Sequence, residues 1–128
     1  MPEPIGDFWP EDIGLTNIRT PGVILKEVAS QLGPKTQQVV RGDVITSSMS
    51  DQIAQYFYLL VPAMDNYKYQ LFYIVHPVTL YPLTLVWNNV GSSVVSEEAF
   101  IAKVKEIIGS DETKKIVQAL LAQGGGPT

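Results

Sequence analysis

His76 is the single histidine of the chain, so a general acid or base titrating near neutrality has to be this imidazole or a shifted carboxylate. A metal site built on a histidine pair is excluded by that count. The absence of cysteine excludes disulfides, thiolate nucleophiles and Cys-ligated zinc. His76 directly precedes Pro77 at the end of an apolar run, a position that reads as a structural or loop-edge histidine rather than a proton shuttle. Glu97, Glu98, Asp111 and Glu112 stand at the starts of two helical patterns, where they complement the positive end of the helix dipole. Asp65 has a turn role and Asp51 a loop role. Ser47, Ser48, Ser50, Ser92, Ser93 and Ser96 fall in no Gly-x-Ser-x-Gly elbow and begin no Ser-x-x-Lys motif. They read as loop and cap residues. Gly124-Gly125-Gly126 has neither a lysine nor a helix after it, so it is no phosphate loop. No cofactor, no metal site and no enzymatic activity are expected; an enzyme using His76 with Tyr73 or Tyr81 is the least favoured reading.

All six tyrosines lie between Tyr56 and Tyr81. A sheet bearing aromatics can stack nucleobases, but such platforms come with basic neighbours, and Lys68 is the sole cation from Asp51 through Val95. The net charge of −4 points the same way, and Lys103, Lys105, Lys114 and Lys115 are interleaved with acids as on a solvated helix face. Nucleic acid is not an expected partner. Tyrosine enrichment of this kind fits cross-strand packing or a protein interface.

The elements that position these residues follow from pattern and punctuation. A chain of 128 residues that is 45% hydrophobic and 17% charged suits one domain with its own core. Residues 1–17 form an apolar arm in which Pro2, Pro4, Gly6, Pro10 and Gly14 forbid a long helix or strand. Ile5, Phe8, Trp9, Ile13 and Leu15 are too apolar for a solvated tail, so the arm is expected to lie across a hydrophobic surface, its own sheet or a partner's. A single α+β domain is expected over 18–123, with a flexible tail at 124–128. Thr20-Pro21 opens a helix with Ile24, Leu25, Val28 and Leu32 on one face, stopped by Gly33-Pro34. An edge strand is predicted from Gln37 to about Thr46, with Arg41 and Asp43 discouraging further pairing. A polar loop follows at Ser47–Asp51, then strands Gln55–Val61, Tyr67–Val75 and Pro82–Asn88. Ser96 caps a helix with the stripe Phe100, Ile101, Val104, Ile107 and Ile108, ended by Gly109. Ser110 or Asp111 caps a last helix with the stripe Ile116, Val117, Leu120 and Leu121. The predicted fold is an N-terminal helix, a four-stranded antiparallel meander and two C-terminal helices packed on one sheet face.

From Gln52 to Trp87, large residues occupy both alternation parities, so both sheet faces call for cover. With Asp65-Asn66 as a two-residue hairpin turn, Tyr56, Tyr58 and Leu60 would share a face with Tyr69, Leu71, Tyr73 and Val75. Phe57, Leu59 and Val61 would share the other with Phe72 and Ile74. Helices on one side leave the second face to something else, because large contiguous apolar areas are rarely left open on a monomer.

In element order and acidic composition the chain resembles small bacterial chaperone and adaptor domains in the style of type III secretion chaperones. The resemblance covers no motif and implies binding of another polypeptide. The expected function is a non-enzymatic, homodimeric protein-interaction domain using an aromatic-rich sheet face, with Phe8, Trp9, Tyr56, Tyr58, Tyr69, Tyr73, Tyr81 and Trp87 as its binding residues. The alternative is a small-molecule binder with an apolar pocket lined by tyrosine hydroxyls. The start Met-Pro-Glu-Pro-Ile-Gly-Asp lacks the pattern of a signal peptide, and no stretch is long enough to span a bilayer. A cytoplasmic protein with no membrane partner is expected.

Overall fold

The computed structural model describes residues 6, 8–14 and 16–125. Pro2, Pro4, Ile5 and Leu15 of the arm, and residues 126–128 of the tail, lie outside them.

Helix α1 (Pro21–Ser30) starts where Thr20 caps it, its side chain accepting from the Val23 amide at 3.1 Å. A proline at the first helical position adds a residue whose missing N–H would have been unpaired there anyway. Gly33 and Pro34 fall in a single helical turn, α2 (Leu32–Lys35). Five strands follow in place of the four expected: β1 (Arg41–Met49), β2 (Gln52–Val61), β3 (Tyr67–Pro77), β4 (Leu83–Trp87) and β5 (Val90–Val94). They form one antiparallel meander in sequence order. Helices α3 (Glu97–Ile108) and α4 (Asp111–Gly125) close the chain, each capped by a serine, Ser96 toward Ala99 and Ser110 toward Thr113. The architecture is α+β.

Three local corrections carry physical reasons. Ser47, Ser48 and Met49, expected in a loop, belong to β1, because the turn sits at Ser50-Asp51 with Ser50 in the left-handed region. The fifth strand follows Asn88-Asn89, both left-handed, which join Trp87 to its partner Val90 as a two-residue hairpin. Asparagine tolerates that conformation best after glycine. Gly124 and Gly125, assigned to the tail, extend α4.

The β2–β3 register differs from the expectation at the turn. Val61, not Met64, is the last residue to pair with Tyr67, and five residues intervene, including a single 3-10 turn at Pro62–Met64. That change alone would exchange the faces of one strand. A bulge restores them: Phe57 pairs with Phe72 and Tyr58 with Gln70, leaving Leu71 as the extra residue. Beyond the bulge, Tyr56 and Tyr73 share a face as expected, but Tyr56 opposes Tyr73 where the two-residue turn would have set it against Val75. On the turn side the parity is reversed, so Tyr69 opposes Leu59 on the hydrocarbon face, while Gln70 and Lys68 join the other.

The helices cover the hydrocarbon face. Phe57, Leu59, Val61, Phe72, Ile74, Leu83 and Leu85 are buried beneath Ile24, Leu25 and Ala29 of α1, Phe100, Val104 and Ile107 of α3, and Leu120 of α4. Phe57 and Phe72 stack with ring centres 5.1 Å apart. Helix α1 lies so close to β1 that a Cβ on Gly42 would meet the Ala29 Cα at 2.5 Å. At the other end, a Cβ on Gly124 of α4 would collide with the Val61 side chain. These two close approaches set the helices on the same side.

Candidate interaction surface on the open sheet face

The opposite face is built by alternate residues of the same strands. Its central row runs across four strands as Ile45, Tyr56, Tyr73 and Val86, each paired with the next. The Tyr56 and Tyr73 rings are tilted 35° with centroids 5.5 Å apart, and Tyr58 continues the cluster at 6.5 Å from Tyr56. Beside this row, Ala54 and Val75 form a second apolar step, bordered by Ser47, Thr84 and Ser93. The other border is charged: Lys68 lies 3.4 Å from Asp43 and 5.8 Å from the centre of the Tyr58 ring. Ile45 and Met49 are 38% and 54% exposed. No helix among the described residues lies on this side; the packing contacts of α1, α3 and α4 are with the hydrocarbon face.

Of the residues singled out by sequence, Tyr56, Tyr58 and Tyr73 are therefore brought together. Tyr69 and Trp87 are on the helix side, half-buried against the core. Tyr81 lies in the β3–β4 loop, packed against the core, its hydroxyl buried without a hydrogen-bond partner among the described residues. Burial pushes this hydroxyl above the ordinary tyrosine value of 10.0; Glu97 adds to the shift and Arg19 opposes it. Phe8 and Trp9 are 80% and 69% exposed, so the chain's own sheet does not bury these two aromatics. Ile45, Val86 and the small residues that flank them were not singled out. Their signal was the alternation of β1 and β4, readable only once the register was known.

His76 is buried, not a loop-edge residue. Its Nδ1 lies 2.8 Å from the Pro77 carbonyl oxygen, which can only accept, so Nδ1 is the donor of this pair. Nε2 is buried without a partner among the described residues. No three acidic or histidine side chains among the described residues come close enough to hold a metal ion. No helix among them is long and apolar enough to cross a membrane.

A concavity of about 560 Å³ lies on the helix side, over Phe57 and Leu59. It is the kind of space the small-molecule reading requires, but no tyrosine lines it. Compared with known proteins, the chain matches no family model, no curated protein and no solved structure.

Proposed function

We propose that this chain is a non-enzymatic protein-interaction domain, adaptor- or chaperone-like and cytoplasmic, that pairs with a second copy of itself through the open face of its sheet. The observation that carries this reading is the row Ile45, Tyr56, Tyr73 and Val86 on a face that no helix among the described residues covers. Size supports it. Five strands spaced about 4.8 Å apart, the second of ten residues, give a face of about 19 Å by 33 Å. That is the order of the roughly 800 Å² a stable interface buries on each partner. Chemistry supports it too, since tyrosine buries ring area while its hydroxyl stays bonded to water or a partner. The exposed Phe8 and Trp9 add apolar surface for the same partner. A twofold axis through the row would set each tyrosine pair against its copy.

The test is photo-crosslinking with p-benzoylphenylalanine placed at Thr84 on the open face or at Glu98 on the outer side of α3. Crosslinks to a second copy are expected from position 84 and not from position 98. Crosslinks from 98 alone would remove the open face from the interface.

A further inference from the structure

The concavity on the helix side has a charge character that the rest of the protein lacks. Helix α1 is drawn to β1 by the Ala29–Gly42 contact, and the C-terminal end of α4 is drawn to Val61. Between these anchors a hollow remains over β2, lined by residues of all four helices. Val28, Leu32, Ile108 and Val117 remain only half-buried along the gap, with Phe57 and Leu59 beneath them. Two shallower hollows, of about 460 and 340 Å³, share residues with this gap and extend it along the helices. The charged side chains lining the three are Lys35, Lys105 and Lys114. No carboxylate lines any of them, in a chain where acids outnumber Lys and Arg by 13 to 9. None of the three lysines belongs to an ion pair among the described residues, whereas Lys68 and Lys103 do.

An apolar trough rimmed by unpaired cations matches a ligand with an apolar body and one anionic end. The volume of the main hollow falls within the range of small-molecule sites. We infer that the groove between α1–α2 and α3–α4 binds a free amphipathic anion, such as a medium-chain carboxylate, its chain over Phe57 and Leu59 and its head group between Lys35 and Lys114. Polar rim residues Gln31 and Gln118 carry amide donors for the head group. This site is on the opposite side of the sheet from the proposed self-association face and does not depend on it.

The experiment is a calorimetric titration of the full chain with decanoate, decanol and decyltrimethylammonium, all as monomers, and separately with anionic phosphatidylglycerol vesicles, with backbone amide NMR shifts to locate the site. Decanoate is expected to bind at one site, with shifts at Thr36, Gly109 and Thr113. Decanol is expected to bind several-fold more weakly and the cation not at all. The Lys35→Glu, Lys114→Glu double variant, which changes only exposed side chains, is expected to weaken decanoate about tenfold and to reverse the preference toward the cation. Val117→Trp is expected to fill the hollow and abolish binding of all three, with a circular-dichroism melt to show that it folds. The inference is overturned if decanoate does not bind, if charge reversal leaves the preference unchanged, if the shifts fall on the tyrosine face, or if only anionic phosphatidylglycerol vesicles bind.

Discussion

Phe57 and Tyr56 are neighbours in β2, yet Phe57 is 2% exposed beneath the helices while Tyr56 stands on the side that no helix among the described residues covers. The same alternation divides β3, with Phe72 and Ile74 inward, Tyr73 and Val75 outward. At the centre of the inner face Phe57, Leu59, Phe72 and Ile74 are pure hydrocarbon and gain their stabilisation from removal from water, about 25 cal/mol per Å². On the outer face the large aromatic residues at the centre are tyrosines, whose hydroxyls keep them compatible with water. A five-stranded sheet with helices enough for one side thus separates the two tasks by side-chain type. One face holds the fold together, and the other is the face proposed for contact.

The strongest way to break this comparison is to truncate one residue from each face. Phe57→Ala is expected to cost about 3–5 kcal/mol in urea unfolding, because stacked Phe72 and the helices cannot fully close the cavity. Tyr56→Ala is expected to cost the isolated monomer about 1 kcal/mol or less while weakening association. Equal losses from the two would mean that the outer face contributes to the fold as much as the inner one.

A smaller effect is expected at the helix–sheet contact. Gly42→Ala places a methyl against the Ala29 backbone, which has no side-chain end to swing away. Overpacking of this kind costs about 1–3 kcal/mol. A thermal melt that leaves the midpoint unchanged would show that α1 is not seated on β1 as described.

Much of this division was legible in the sequence. The two parities of β2 and the caps at Thr20, Ser96 and Ser110 are local signals, set by side chains that act within a few residues of themselves. The α+β order of elements is the sum of such signals. What escaped was non-local. The five-residue β2–β3 connection and the bulge after Phe57 each shift the register, and only their combination returns Tyr73 to the face of Tyr56. Tyr69 lies on the wrong side of that pair of shifts and moved to the helix face. β5 escaped because Gly91, Ser92 and Ser93 have little strand propensity of their own; the left-handed Asn88-Asn89 pair was the signal for it. The burial of His76 depends on which face the helices take, and no local pattern states that.

Tyr81 gives the finest adjustment, on the helix side. Its buried hydroxyl has no partner among the described residues, so Tyr81→Phe is expected to raise stability at neutral pH by up to about 1 kcal/mol. The pH dependence has a definite sign. Burial and Glu97 hold the folded-state value above that of the unfolded chain, so above the ordinary tyrosine value the unfolded chain loses this proton first. Stability is then lost as pH rises through that window toward the folded-state value. Tyr81→Phe is expected to flatten this part of the profile in urea titrations at alkaline pH. An unchanged slope would mean that other groups set it.

Sedimentation equilibrium of the wild-type chain and of the Tyr56→Glu, Tyr73→Glu double variant, over a concentration series, bears most directly on the claim that the open face is an interface. The expected result is a wild-type mass approaching twice the 14.1 kDa of the chain and a folded, monomeric variant, since two carboxylates at the centre of an apolar contact would be buried unpaired. A wild-type chain that stays monomeric at the highest concentration, or a double variant that associates as strongly as the wild type, would contradict it.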